Sequence, residues 1–441
     1  MPVPYLLDLL YLLLLILTAP YWFWQAWSKG KYRSGRGEKL LGRAPVRSGE
    51  GTCLWFHAVS VGEVNLLAPL LAEITQRRPS WTCVISTTTA TGMALARRKY
   101  AGYTVFYCPL DFSWATTAAV RRIRPDVLVL AELELWPNLI RAARQGGAAV
   151  AVINGRLSEN SYRGYARARW FFARLLRQID RIAVQDAQYR ARFEALGAPP
   201  DRLVVTGSMK YDGAQTDRNN PQSRRLATLA GFAEDDIVLL AGSTQEPEEA
   251  IALDVFRTLC PQWPRLRLVV VPRHPERFEA VGRLLEQSGA AWQRRSKLEE
   301  QGPRPEARIL LVDTIGELGA WWGTAQIAFV GGSMGNRGGQ NMIEPAAYGA
   351  AVCFGPNTRN FRDIVSALLA AEAAEVVADR HALLAFVRRC LAEPDYAARL
   401  GQNAQQLVVS QQGATAATFA AIEALVERPK PTTCGSQRIG P

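Results

Sequence analysis

Short apolar runs alternate with longer stretches of helical period along most of the chain. Thr52–Phe56, Thr82–Ser86, Thr104–Tyr107, Asp126–Leu130 and Ala148–Ile153 read as strands, with helices over Val64–Gln76 and Thr91–Lys99. A second series follows at Ile237–Ala241, Arg267–Val271, Arg308–Val312, Ile327–Val330 and Ala351–Phe354. Continuous apolar strands separated by helices indicate parallel sheets covered on both faces. The fold class is therefore α/β, with two doubly wound, Rossmann-like domains. The expected organisation is a helix over 1–28, a basic linker over 29–50, a first domain over 51–206 and an interdomain linker over 207–228. A second domain over 229–427 and a disordered tail over 428–441 complete it. A length of 441 residues fits two cores better than one.

The N-terminus breaks this pattern. Residues 4–24 are almost wholly apolar, interrupted by Asp8, and are long enough to reach across the hydrocarbon core of a bilayer. No basic start or small-residue cleavage site marks a signal peptide. Lys29, Lys31, Arg33, Arg36, Lys39 and Arg43 follow the apolar stretch, which places the rest of the chain on the cytoplasmic side. The aromatic group Tyr21, Trp22, Phe23, Trp24 and Trp27 suits the headgroup zone. The expectation is a single membrane-anchor helix at the inner membrane, either spanning it or lying on it.

Charge and cysteine usage sharpen the partners. A net charge of +12 fits an anionic membrane surface or anionic substrate, and no RNA-binding signature or zinc spacing points to nucleic acid. The seven scattered cysteines form no disulfide framework or metal knot, so buried thiols in a reducing compartment are expected. Ser161–Arg177 is dense in Arg, Tyr, Trp and Phe. It reads as a helical stretch that is either a solvated basic face or a contact with anionic lipid.

Candidate chemistry collects where strands end. Ser60 and Glu63 have the spacing of a capping box, and Glu63 is equally placed to be a general base. Glu132 and Glu134 directly follow a buried strand. They suit proton transfer or hydroxyl binding if they face a ligand, and ion pairing if they do not. Gly242, Ser243 and Thr244 follow another strand and can hold a phosphate, while Glu246–Glu249 reads as ordinary N-terminal helix charge. Arg273 can offer paired donors to phosphate or carboxylate, with His274 beside it as a positioning residue. Gly331, Gly332, Gly335, Gly338 and Gly339 form a turn after Ile327–Val330, ahead of a helix expected to start near Asn341. That arrangement suits an anionic phosphate, with Glu344 on a ribose.

Taken in order, the motifs HAVSVGE (57–63), TTTATG (87–92), ELELWPN (132–138), NGRLS (154–158), GSMKYD (207–212), AGST (241–244) and VPRHPERF (271–278), with the glycine-rich turn, resemble the Kdo transferases of lipopolysaccharide synthesis. These enzymes attach 3-deoxy-D-manno-octulosonic acid to a lipid A precursor. The resemblance implies a GT-B architecture in which the first domain takes the lipid acceptor and the second takes CMP-Kdo across a cleft. It implies that Glu63 is the catalytic base and that Ser60, Glu132, Glu134, Asn154 and Arg156 serve the acceptor. Lys210, Gly242, Ser243, Thr244, Pro272, Arg273, His274, Gly332, Gly339, Asn341 and Glu344 would then serve the donor. Lys210 and Arg273 would neutralise its phosphate and carboxylate. No metal or other cofactor is expected.

Four positions depart from the family's usual residues. Gln245, Gln340 and Asn357 stand where histidine is usual, and Pro247 stands where glycine is usual. Amides keep hydrogen bonding but carry neither proton nor charge. Alternatives to Kdo transfer are therefore a GT-B transferase for another activated ulosonic acid or nucleotide sugar, and a non-catalytic membrane-tethered binder of lipid A or nucleotide.

Overall fold

The structure, a computed structural model, describes residues 3–28 and 35–428. Two compact units form. The first takes the chain up to Gly213 and again from Gln412, and the second takes Ala214–Gln411. In the first unit the strands are β1 (Cys53–His57), β2 (Thr82–Thr87), β3 (Thr104–Tyr107), β4 (Val127–Ala131), β5 (Ala149–Gly155), β6 (Arg181–Val184) and β7 (Leu203–Val205). They pair in the order β3-β2-β1-β4-β5-β6-β7. In the second unit the strands are β8 (Ile237–Thr244), β9 (Leu266–Pro272), β10 (Trp292–Arg294), β11 (Ile309–Leu311), β12 (Ile327–Val330), β13 (Ala351–Phe354) and β14 (Ala374–Val376). Their order is β10-β11-β9-β8-β12-β13-β14.

Every strand pairing is parallel, for example Leu54 opposite Val127 and Phe329 opposite Ala241. β1, β4, β12 and β13 are buried at every position, which is why they appear in the sequence as unbroken apolar runs. Helix starts obey local chemistry. Ser60, Thr89, Ser158, Asp186, Asn220 and Asp379 each accept a backbone N–H of the helix that follows them. The order in which strands are added reverses between β1 and β4 in one sheet and between β8 and β12 in the other. Ligand crevices in open parallel sheets lie at the carboxyl ends of strands at such points.

Several expectations change. β6, β7, β10 and β14 lie outside the predicted strands because each is short and, apart from β7, carries a polar residue. The second unit stops at Gln411 rather than at 427, since the helix Ala414–Val426 returns to the first unit and packs on the helix Val61–Arg77. Phe419 and Ile422 are buried in that core, and Asp212 accepts the N–H of Gly413 at 2.7 Å to fix the return. The stretch 161–177 is not one helix but parts of two, Glu159–Ala166 and Arg169–Leu176, with Trp170 exposed. The basic linker contains the helix Arg36–Leu41. Its residues 29–34, and the tail from 429, lie outside the described residues.

The N-terminal helix runs from Val3 to Ser28. Among the described residues no helix is long and apolar enough to cross a membrane. Asp8, which interrupts the apolar run, is buried against the first unit. Its carboxylate accepts the Ser113 N–H at 2.8 Å and the Ser113 hydroxyl, so it caps the helix Ser113–Ile123, which has no cap of its own. Asp111 does the same for the helix Pro137–Gln145, accepting the N–H groups of Asn138 (3.0 Å) and Leu139 (2.9 Å) and the hydroxyl of Tyr11. Leu6, Leu9, Leu10, Leu13, Leu14, Ile16 and Leu17 remain exposed. Asp8→Ala removes both acceptors and should cost about 1–2 kcal/mol of capping. Hydrogen exchange should then accelerate over 113–116 and along the N-terminal helix while the sheet stays protected. Unchanged protection would show that Asp8 does not dock this helix.

Candidate functional site

In the first unit the site forms at the ends of β1, β4 and β5. Glu63 lies one turn into the helix that Ser60 caps, and only 8% of it is exposed. Its Oε1 accepts the Ser60 hydroxyl at 2.7 Å, and its Oε2 accepts the Val59 N–H at 2.8 Å. Ser60 in turn accepts the Glu63 N–H at 3.3 Å. The capping box is therefore real, and it holds the carboxylate rather than consuming it, because each oxygen retains a free lone pair. Burial pushes the Glu63 carboxyl above the ordinary carboxylate value against these two hydrogen bonds, and the charge of Glu132 adds to the rise.

Glu132 and Glu134 complete a set of three carboxylates. Glu132 directly follows β4 with a positive φ of 54° and accepts Arg156 Nε at 2.8 Å, with Lys210 Nζ at 3.4 Å. Glu134 accepts the Trp136 indole N–H at 2.8 Å, and its carboxyl is raised by burial first and by the charges of Glu63 and Glu132 after that. Asn154, fully buried at the end of β5 with φ 52°, accepts the Met209 N–H at 3.1 Å and so ties β5 to the segment that carries Lys210. Lys210, expected at the donor, is thus placed in the first unit against Glu132. Beneath the loop, His57 is buried with Nδ1 3.0 Å from Ser86 Oγ, and burial lowers it to about 4. A neutral imidazole at that position supports the Trp136 ring rather than taking a proton from a ligand.

In the second unit the loops after β8, β9, β12 and β13 converge. Ser243 ends β8 with φ 56°, Gly242 lies against Trp322, and Thr244 is fully buried. The Thr244 carbonyl accepts the Arg273 N–H at 3.0 Å, which joins the β8 end to Pro272, Arg273 and His274. Arg273 and His274 are exposed, and the Arg273 guanidinium has no hydrogen-bond or ion-pair partner among the described residues. Asn341 donates from Nδ2 to Glu344 Oε1 at 3.0 Å, and its Oδ1 accepts the Ile343 N–H. Burial raises the Glu344 carboxyl, opposed by Asn341 and by the charge of Arg273. A cavity of about 400 Å³ beside this cluster is lined by Gln245, His274, Arg277, Gly332, Asn336 and Arg337 among others.

The glycine-rich turn departs from expectation. The helix after it is a single turn, Ile343–Ala347, and starts two residues later than Asn341. The N–H groups of Gly332, Ser333 and Met334 do not face open space, because all three donate to Glu248 at 2.7–2.9 Å. Gly339, with φ 81°, closes the turn by donating to the Gly332 carbonyl at 2.8 Å. Glu248 and Glu249 are buried rather than solvated helix charges, and Glu249 holds Arg277 through two bonds of 3.0 and 3.1 Å. Glu248 was the residue hidden from sequence reading. Its one signal is a second acid directly after the first at a helix start.

Comparison with known proteins identifies the family. The family described as 3-deoxy-D-manno-octulosonic-acid transferase (kdotransferase) matches residues 32–213. A 3-deoxy-D-manno-octulosonic acid transferase of Bordetella pertussis is 33% identical over 420 residues, 91% of this chain and 95% of that one. The Haemophilus influenzae transferase of the same name is 32% identical, covering 90% of this chain and 93% of its own. In fold alone, a UDP-GlcNAc 2-epimerase from Neisseria meningitidis covers 85% of this chain and all of its own at 13% identity, with a TM-score of 0.57. Identity at this level over nearly the whole length of both transferases shows that the chain belongs to the 3-deoxy-D-manno-octulosonic acid transferase family.

Proposed function

We propose that the chain is an inverting glycosyltransferase that moves Kdo from CMP-Kdo to a hydroxyl of a lipid A precursor of the lipid IVA type, with Glu63 as base. The observation that carries this reading is the state of Glu63. Two hydrogen bonds aim it, burial raises its proton affinity, and it sits at the switch point of its sheet. The acceptor hydroxyl attacks the anomeric carbon while its proton passes to Glu63. The bond from that carbon to the phosphate oxygen breaks, and CMP leaves with the electron pair. Because the leaving group departs as a phosphate, fixed positive groups suffice to stabilise it and no metal is required.

On the donor, the unpaired Arg273 supplies charge to phosphate or carboxylate, and Glu344, held by Asn341, accepts ribose hydroxyls. The exposed leucines of the N-terminal helix, with Trp24 and Trp27, support attachment to the cytoplasmic face of the inner membrane along the helix rather than through it. Transfer of a different activated ulosonic acid is the second reading. It is favoured by the gathering of Gln245, Gln340 and Asn357 at one turn. The first two reach within 3.5 Å of where a Cβ on Gly332 would stand, and Asn357 donates to the Ser333 and Met334 carbonyls.

Incubation with CMP-Kdo generated in situ and tetraacylated lipid A precursor should give Kdo mass increments, with turnover insensitive to chelators. Glu63→Gln should lower kcat by about a hundredfold or more and leave the Kd for CMP unchanged. CMP binding without any increment would favour the second reading, and retained kcat in Glu63→Gln would remove that residue from the mechanism. A base with a raised value is protonated as pH falls through it, so kcat should decline on the acid side at a pH above the free-carboxylate value of about 4.3. Glu132→Gln removes a charge that raises Glu63, so it should move this acid limb to lower pH. A limb that stays in place would contradict the coupling.

A further inference from the structure

The strongest unexplained feature is a buried carboxylate in the second unit that lacks a cation. Glu248 is 1% exposed, and among the described residues no lysine, arginine or histidine pairs with it. It accepts four backbone N–H groups instead: Gln245 at 2.9 Å, Gly332 at 2.7 Å, Ser333 at 2.9 Å and Met334 at 2.9 Å. A cradle of successive N–H groups after a strand is the arrangement that binds phosphate in other parallel-sheet proteins. In this chain its own side chain fills the cradle. Gly331 leaves the room required, since a Cβ there would stand 2.7 Å from Glu248 Oε2.

The contacts extend beyond the turn. Ser333 donates its hydroxyl to the Val330 carbonyl at 2.6 Å and accepts the Gly355 N–H at 2.8 Å, while its carbonyl accepts the Asn357 N–H at 2.9 Å. Glu248 thereby binds together the loops that follow β8, β12 and β13. Ser243 and Thr244 at the end of β8 lead into the first of these loops, the β12 loop carries Gly332 and Gly339, and the β8 end is tied to Arg273.

We propose that Glu248 is a positioning residue for nucleotide-sugar binding. Its carboxylate stands in for a bound anion, fixes the turn Gly332–Met334, and obliges the donor phosphate to bind outside that turn. The inference rests on the reading of the second unit as the donor domain. It assigns the turn a supporting role and leaves the direct neutralisation of phosphate to side chains such as Arg273.

Calorimetric titration of CMP into the full chain tests it, using wild type, Glu248→Ala and Glu248→Gln, each with and without formate. Loss of hydrogen bonds to a charged group should raise the Kd for CMP by about tenfold or more in both variants. Formate can occupy the emptied cradle in Glu248→Ala, so it should restore much of the affinity there. It should do nothing in wild type, or in Glu248→Gln, where the amide still fills the space. A Glu248→Ala protein that binds CMP like wild type, or that is weakened but unmoved by formate, overturns the proposal. If Glu248→Ala does not fold, wild-type affinity in Glu248→Gln overturns it, and a tenfold loss that formate leaves unchanged supports it. Wild type that fails to bind CMP would instead overturn the donor-domain reading on which the proposal stands.

Discussion

Backbone N–H groups left over where parallel strands end and helices begin must find acceptors once they are buried, and this chain meets the demand with its own carboxylates. Glu63 takes the Val59 N–H, Asp111 those of Asn138 and Leu139, Asp8 that of Ser113, Asp212 that of Gly413, and Glu248 four at once. Asp126 and Asp180 do the same at the start of β1 and β5. Apart from the local bonds of Glu63 to Val59 and of Glu248 to Gln245, these bonds join segments that local propensity would leave independent. The two sheets supply the frame, and these acids set where its loops stand.

The same constraint explains how one residue type performs different work. Glu248 is saturated by four donors in a closed cradle, so it organises its surroundings and has no capacity for proton transfer. Glu63 has one donor on each oxygen and two acidic neighbours, so burial and repulsion raise its proton affinity while leaving lone pairs for a substrate. Glu132 is held by Arg156 and Lys210 and serves as the charged neighbour that tunes the other two. Glu132, Asn154 and Ser243, all at the carboxyl ends of strands, have a positive φ, a sparsely populated backbone region.

What could be read from the sequence followed from locality. β12 and β13 coincide with their predicted spans because buried parallel strands are uninterrupted apolar runs, and the edge strand β3 coincides although Thr104 is exposed. The Ser60–Glu63 pairing was readable because a cap and its partner lie within one turn. Asp8 read as a flaw in an apolar helix, since its partner Ser113 is remote in the chain and invisible to periodicity. Glu248 read as a helix-start charge for the same reason: the turn it fills follows a different strand. The return of Ala414–Val426 to the first unit was hidden because an apolar helix does not declare which core it covers. Motif order pointed to the family even so, because the motifs lie at strand ends whose positions the alternating pattern had already located.

The central claim is a single displacement driven by Glu63 on an acceptor hydroxyl. Proton NMR of the Kdo-bearing product formed from CMP-Kdo and lipid A precursor tests it most directly. The account predicts an anomeric configuration inverted from that of the donor. A retained configuration would require a covalent or dissociated intermediate, and would contradict the assignment of Glu63 as the base of a one-step transfer.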